Sequence, residues 1–162
     1  MILASISIVL ITFITMEGIT WCTHKYIMHG ALGWYFHEDH HQPQYQGVFE
    51  KNDAFFLVFA TPSIALIYFG FENPNFDARL WIGAGIAAYG AAYFLVHDVF
   101  IHQRFKWFKN TDSVYFRALR KAHKVHHKHL GKEDGECFGM LYVPWKYFRE
   151  AAESKRKQRI KT

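Results

Sequence analysis

Three long apolar runs alternate with polar segments along the chain, and they determine the predicted architecture. The runs cover about residues 2–21, 54–71 and 80–96. Each is close to the roughly 20 residues that a helix needs to cross about 30 Å of hydrocarbon. The pattern therefore predicts an all-α fold, an integral membrane helical bundle with a polar helical cap. All 162 residues are expected to form one membrane-embedded domain, with a C-terminal tail over about residues 150–162.

A few residues inside these runs predict details of packing. Glu17 is costly in lipid, so its carboxylate should face the protein interior or the metal site, or else reach the membrane interface. The third run contains Gly83, Gly85 and Gly90, which suggest a small-residue face for close helix packing. The two cysteines, Cys22 and Cys137, form no CxxC motif; neither a disulfide nor a thiolate metal site is expected, and both are predicted to be buried apolar residues.

The polar segments after the first and third runs carry all eleven histidines, and ten of these follow one spacing pattern. Their spacing is HX4H followed by HX2HH, and this two-part pattern occurs twice. A single HX2HH is often a solvated polar face or an isolated structural zinc site, but chance does not repeat such spacing. His129 alone lies outside the pattern and is interpreted as a surface histidine. The candidate metal ligands are His24, His29, His37, His40, His41, His97, His102, His123, His126 and His127.

Helix geometry constrains which histidines can share an ion. Successive residues of an α-helix turn by about 100°, so His37, His40 and His41 would lie within roughly 100° on one face. His24 and His29 are five residues apart, or about 140° on a regular helix. Either the helix ends or bulges there, or the two residues bind different metals. Ten imidazoles exceed what one ion accepts, so two metal ions in one site are expected.

Charge predicts the orientation in the membrane. Residues 102–162 contain sixteen Lys and Arg against six Asp and Glu, whereas the connection 72–79 has one against two. Because positive loops stay in the cytoplasm, three crossings would place the N-terminus outside and all four histidine motifs inside. A fourth crossing over residues 26–36 would bury His29 in lipid and is disfavoured. Although the pI is about 9.2, the chain has no nucleic-acid motif, so no nucleic-acid partner is expected.

The position of the ligands indicates the kind of chemistry. Zinc hydrolases with two metals usually include bridging carboxylates and take polar substrates from water. Here the histidines stand at the edge of a bilayer, where an apolar substrate can enter from lipid. Oxygen activation requires a redox metal, which zinc is not. Two iron ions with O2 as co-substrate are therefore expected, although zinc binds such nitrogen sites more tightly and could occupy them in the isolated protein.

The order HX4H, HX2HH, HX4H, HX2HH resembles that of the bacterial and plant non-haem β-carotene 3-hydroxylases, within the wider fatty acid hydroxylase superfamily. The resemblance covers most of the chain, from about residue 21 to 144. The flanking segments that are similar are His29-Gly30, Gly33-Trp34, residues 37–43, Asn52-Asp53, His97-Asp98, His102-Gln103-Arg104 and residues 138–144.

The resemblance implies a di-iron monooxygenase that hydroxylates the β-ionone rings of β-carotene at C3 and C3', giving β-cryptoxanthin and zeaxanthin. It implies a carotenoid taken from the bilayer, ferredoxin and its reductase as electron donors, and a multi-pass protein of the bacterial inner membrane. A basic cytoplasmic face would suit an acidic donor, but the positive-inside rule explains the same charge. Asp98 and Glu38 lie beside candidate ligands; each could orient an imidazole or be a solvated carboxylate.

Other functions remain open at this point. A carotenoid 4-ketolase, or another lipid hydroxylase or desaturase, could use the same di-iron scaffold. A non-catalytic metal-binding membrane protein, such as a transporter, is disfavoured because its ligands would be expected near mid-membrane rather than at helix ends. Residues 138–144 are apolar enough to lie at the membrane interface or against the site, but the sequence identifies no residue of a substrate tunnel.

Overall fold

The computed structural model describes residues 1–42, 49–105, 107–108, 110–133 and 135–161. Within these ranges every regular element is helical, which confirms the predicted all-α class. Pro43, part of one of the similar segments, lies outside the described residues.

The helices follow the apolar runs, with additions at the ends. Helix α1 spans Ile2–Cys22 and continues into a π-helical segment, π1, at Thr23–Met28. Helix α2 is a single turn at Trp34–His37, followed by a 3-10 turn at Asp39–His41. The remaining elements are a 3-10 turn at Lys51–Asp53, α3 (Ala54–Phe71), α4 (Ala78–Tyr93), a second π-helical segment π2 (Phe94–Ile101), α5 (Val114–His126) and α6 (Trp145–Lys161).

Three helical stretches are long and apolar enough to cross a membrane, namely Ile2–Met28, Lys51–Phe71 and Ala78–Ile101. The most apolar windows of the first two are only 11% buried, so most of their side chains face outward. Apolar surface of this extent is satisfied by lipid rather than by a protein core. The first and third stretches are longer than the predicted 2–21 and 80–96 because the π segments extend them.

Helix α4 is the centre of the bundle, since it packs on both α1 and α3. A Cβ at Gly83 would lie 2.8 Å from the Ser63 carbonyl oxygen of α3, and one at Gly85 would lie 2.6 Å from Thr12 Cβ of α1. The missing side chains allow this close approach of the helices. Around Gly90, a Cβ would meet no described atom within 4 Å. The predicted small-residue face is therefore confirmed at the first two glycines and wrong at the third.

Helices α5 and α6 pack against each other and form the cap beside the bundle. Their shared core is apolar, and the segment predicted as a C-terminal tail lies largely within α6. That the whole chain is a single domain stays a prediction. The buried core residues of the cap are Ala118, Leu119, Ala122, Val143, Tyr147 and Ala151.

The position of Glu17 agrees with one of its two predicted alternatives, whereas the position of Cys22 does not agree with its prediction. The Glu17 carboxylate faces the protein interior, where it accepts a hydrogen bond from Tyr89 Oη at 2.7 Å. Cys22 was predicted to be buried, and this is wrong: it is exposed, because α1 buries only a narrow side in the bundle. Cys137 is a half-buried free thiol.

The close packing of α4 predicts different effects of alanine at two of its glycines. Gly83→Ala should lower the melting temperature of the detergent-solubilised protein by about 3–10 °C, because overpacking typically costs about 1–3 kcal/mol. Gly90→Ala is the matched control and should not destabilise, since its Cβ meets no described atom and alanine favours a helix over glycine. Thermal unfolding followed by circular dichroism measures both, and equal melting temperatures would contradict the packing described.

Candidate metal centre

The two π-helical segments bring each HX4H pair onto one face. In π1 the backbone N–H of His29 donates to the carbonyl of His24 at 3.0 Å, and in π2 His102 donates to His97 at 2.9 Å. These hydrogen bonds span five residues instead of the four of an α-helix, so they align residues five apart. The ring centroids are 5.1 Å apart in the first pair and 4.5 Å in the second. Of the alternatives that the sequence left open, the structure selects the helical bulge.

The first HX2HH motif does not lie on one regular helix, which corrects the expectation. His37 ends α2, while His40 and His41 belong to the following 3-10 turn. A short helix readily tightens in its last turn, and residues three apart then eclipse each other. The rings of His37 and His40 accordingly stack with centroids 5.3 Å apart. The motif still presents its three rings together, by a tighter turn than predicted.

The imidazoles form two groups of candidate ligands. Within each group, one ring nitrogen of every member lies within 4.8 Å of those of the others. His127 lies between the groups, with its ring centroid 4.4 Å from that of His41 and its Nε2 atom 2.8 Å from His123 Nε2. His129 is exposed, as predicted. The first histidine group is His24, His29, His37, His41 and His126, and the second histidine group is His40, His97, His102 and His123.

Each group draws ligands from both copies of the sequence pattern. His126, from the second copy, joins four histidines of the first, and His40, from the first copy, joins three of the second. The structure thus brings all ten predicted residues together at one end of the bundle. The two copies are interleaved, so neither copy alone could supply either group.

Hydrogen bonds at Nδ1 direct the lone pairs of four of the five rings of the first histidine group inward. A neutral imidazole carries one N–H, so a ring that donates from Nδ1 has its lone pair on Nε2. The Nε2 atoms of His24 and His37 face each other at 3.0 Å, and those of His29 and His126 at 3.3 Å. Facing lone pairs repel unless a cation lies among them, so the arrangement fits a bound metal. The Nδ1 donors and their acceptors are His24 to Phe138 O (2.9 Å), His29 to Leu130 O (2.9 Å), His37 to Asn52 Oδ1 (2.7 Å) and His126 to Glu136 O (3.1 Å).

Carboxylates orient the second histidine group instead. His40 Nδ1 lies 2.7 Å from Glu50 Oε2, and His97 Nδ1 lies 3.4 Å from Asp98 Oδ2. The Nε2 atoms of both rings are buried without a hydrogen-bond partner among the described residues, and a metal ion would satisfy them. Arg104 holds both carboxylates, with Nη2 2.7 Å from Glu50 and Nε 3.1 Å from Asp98.

Burial favours the neutral form of the candidate ligands outside the membrane-spanning segments. It lowers the pKa of His37 to about 3 and that of His127 to about 4. The pKa values of His40, His102 and His123 are also well below the ordinary range, first because of burial and second because of neighbouring histidines. Metals bind the neutral imidazole. The site therefore presents its nitrogens in the ligand form at neutral pH.

The two acidic residues predicted to orient ligands lie in different surroundings. Asp98 faces His97, as described above. Glu38 is partly exposed, and its carboxylate lies 3.4 Å from Lys51 Nζ. Glu50 and Asn52 contact ligands, but they are distant in sequence from the histidine motifs that they support, and spacing gave no signal for them. Sequence reasoning singled out Arg104 only as part of a similar segment, and its contacts with Glu50 and Asp98 became visible only in the structure.

Backbone strain is concentrated beside the site. Gln103 (φ 54°), directly after His102, and Cys137 (φ 64°) adopt the left-handed conformation without being glycine. Such residues cost about 1–3 kcal/mol each and persist where the surrounding structure requires them. Cys137 lies between the two carbonyls that accept from His126 and His24. Its conformation therefore belongs to the geometry that orients these two rings.

Comparison with known proteins agrees with this geometry. The profile of the family "Fatty acid hydroxylase" matches residues 9–149. The chain is 47% identical to the "Beta-carotene hydroxylase" of Pantoea ananas over 137 residues, which covers 85% of this chain and 76% of that protein. It is 37% identical to the "Beta-carotene hydroxylase" of Paracoccus sp. (strain PC1), covering 85% and 83%.

Plant proteins match over a shorter part of their length. The "Beta-carotene hydroxylase 1, chloroplastic" of Capsicum annuum is 39% identical over 75% of this chain and 38% of that protein. No solved structure matches with significant similarity. The extent of the family match, together with the bacterial relatives, shows that this chain belongs to the fatty acid hydroxylase family.

Proposed function

We propose that this chain hydroxylates the β-ionone rings of β-carotene at C3 and C3', giving β-cryptoxanthin and zeaxanthin, as a non-haem di-iron monooxygenase. The observation that carries the proposal is the pair of converging histidine groups, in a chain 47% identical to a protein named beta-carotene hydroxylase. Neutral, histidine-rich sites suit iron. Two iron ions and O2 are the proposed cofactor and co-substrate.

The ten histidines are proposed as the pool of iron ligands. Their task is to hold two ions side by side, with His127 placed to serve either group. Bound iron would supply the oxygen chemistry, while the protein supplies orientation and electrostatics. The rings of His37, His40 and His97 are held at Nδ1 by Asn52, Glu50 and Asp98, respectively. Glu38 is the weaker of the two acidic candidates because its contact is with Lys51.

An apolar substrate would reach this centre from the bilayer. The Phe138 ring lies 5.3 Å from that of His29 and 5.1 Å from that of His126, so it covers one side of the first histidine group. Phe138 and Met140 are almost completely buried. Of residues 138–144, predicted to lie at the interface or against the site, Phe138 lies against the site, whereas Val143 packs in the core of the cap and Tyr142 is exposed. This surrounding supports a carotenoid substrate rather than a polar one.

The proposed setting is the bacterial inner membrane, with the metal centre on the cytoplasmic side. Residues 102–162 carry the excess of positive charge described above, and such segments stay in the cytoplasm. A soluble, acidic electron donor of the ferredoxin type, supplied by its reductase, would meet this basic surface.

The proposed reaction is tested by pigment analysis. The chain should convert β-carotene to zeaxanthin when it is expressed in a bacterium that accumulates β-carotene. His126→Ala should reduce conversion by more than about 100-fold, because removal of a ligand costs at least as much as removal of a residue that supports one. The protein should remain membrane-inserted, since the apolar helices supply insertion. Chromatography of extracted pigments measures the outcome.

The matched control is His129→Ala, an exposed histidine outside both groups, which should leave conversion unchanged. Canthaxanthin as the product would replace the hydroxylase by a 4-ketolase. Unchanged β-carotene, with the wild-type protein in the membrane and loaded with iron, would contradict the proposal.

The proposed topology predicts asymmetric labelling. With Cys22 and Cys137 replaced, a cysteine introduced by Asn75→Cys should react in spheroplasts with a membrane-impermeant thiol reagent, because it lies in the connection between α3 and α4. One introduced by Lys132→Cys should react only after the membrane is opened. Labelling of the Lys132→Cys variant from outside would place the centre away from a cytoplasmic electron donor.

A further inference from the structure

A carboxylate inside the first membrane-crossing helix is connected to the metal centre through one loop. We infer that Glu17 is a positioning residue that holds residues 138–142 in the place from which the Phe138 carbonyl orients His24 of the first histidine group. The inference rests on the proposed metal centre. It assigns a role to a residue that lies outside every histidine motif.

Glu17 binds three consecutive backbone amides with one oxygen. Its Oε1 atom accepts hydrogen bonds from the N–H groups of Met140 at 2.9 Å, Leu141 at 2.8 Å and Tyr142 at 2.9 Å. The other oxygen, Oε2, accepts from Tyr89 Oη at 2.7 Å. All four partners are donors, and hydrogen bonds to a carboxylate are stronger than those between neutral groups. A charged group that is costly in a membrane span is thus satisfied by the backbone of a single loop and by the hydroxyl of Tyr89.

The fit between the carboxylate and the loop is close. A Cβ at Gly139 would lie 2.6 Å from Glu17 Oε1, so the loop can approach this oxygen only without a side chain there. This contact, like the three amide hydrogen bonds, fixes the loop to α1. The cap holds the loop as well, since Tyr115 Oη of α5 donates to the Leu141 carbonyl at 2.7 Å.

One face of α1 and its continuation π1 carries both the anchor and a candidate ligand. Glu17, Trp21 and His24 are spaced four and three residues apart, which places them on the same side of a helix. The Trp21 ring meets the Phe138 ring edge-on at 6.1 Å, and His24 Nδ1 donates to the Phe138 carbonyl at 2.9 Å. The loop therefore lies along α1, held at one end by Glu17 and oriented toward a ligand at the other.

The chain that leads into this loop orients two further rings of the first histidine group. The carbonyls of Leu130 and Glu136 accept from His29 and His126. By contrast, the described Nδ1 contacts of the second histidine group are to Glu50 and Asp98. Loss of the Glu17 anchor should consequently weaken one metal position and spare the other. A defect that merely unfolds the protein would remove both.

The test measures cobalt binding, with Co²⁺ as a spectroscopic probe. Metal-free protein in detergent is titrated with Co²⁺ against a chelator, and the ligand-field absorption gives the number of ions and the dissociation constant of each. The wild type should bind two. Glu17→Leu should weaken one of them by about 10–100-fold, the usual effect of losing a residue that supports a ligand, and leave the other unchanged. Glu17→Gln should recover much of the affinity, because the amide oxygen can still accept from the three N–H groups.

Two further variants separate positioning from folding. Gly83→Ala lowers stability at a helix contact away from the loop and should keep both cobalt ions. Gly139→Ala disturbs the contact between the loop and Glu17 without removing the carboxylate. It should weaken the same single cobalt position, and it therefore tests the inference even if Glu17→Leu does not fold. If the Glu17 and Gly139 variants bind two cobalt ions with wild-type affinities, the role of Glu17 is wrong, although the proposed metal centre stands. Equal weakening of both metal positions would also contradict that role. A wild type that binds no cobalt would overturn the proposed metal centre as well.

Discussion

Two neutral imidazoles whose nitrogen lone pairs face each other repel unless a cation lies among them. This constraint governs the polar end of the molecule, because the Nε2 atoms of His24 and His37 face each other at 3.0 Å while both rings donate from Nδ1 to oxygen. In six of the ten rings a described hydrogen-bonding partner at Nδ1 fixes the outer nitrogen, so that the Nε2 lone pair points inward. Burial removes the alternative of protonation by lowering the pKa of the rings outside the membrane spans. The inward-facing nitrogens are therefore available as neutral ligands for metal ions.

The local structure serves this arrangement. On a regular helix, residues five apart point about 140° away from each other, and the two π-helical segments bring such residues onto one face. A 3-10 turn stacks the ring of His37 over that of His40. The two histidine groups are supported differently. Backbone carbonyls and Asn52 orient the first, whereas Glu50 and Asp98, both held by Arg104, orient the second. Two ions in such unlike surroundings need not bind with equal affinity.

The sequence was sufficient for the parts of the structure that depend on composition and period. Apolar length predicted the three crossing helices, and repeated spacing predicted that the ten histidines belong to one site. The bulges were foreseen only as one of several alternatives, because the spacing of His24 and His29 shows that a regular helix fails without showing what replaces it. The interleaving of the two copies, through His126 and His40, depends on tertiary packing and leaves no trace in spacing. Spacing likewise gives no sign of the roles of Glu50 and Asn52, whose histidine partners are ten and fifteen residues away.

The central claim is that this membrane protein holds two iron ions through imidazole nitrogens. It is tested most directly by anaerobic reconstitution of the purified protein with ferrous iron, followed by iron analysis and X-ray absorption spectroscopy at the iron edge. We expect two irons per chain, each surrounded mainly by nitrogen at distances typical of histidine ligation. A single iron per chain, or a coordination sphere dominated by sulfur or by carboxylate oxygen, would contradict it.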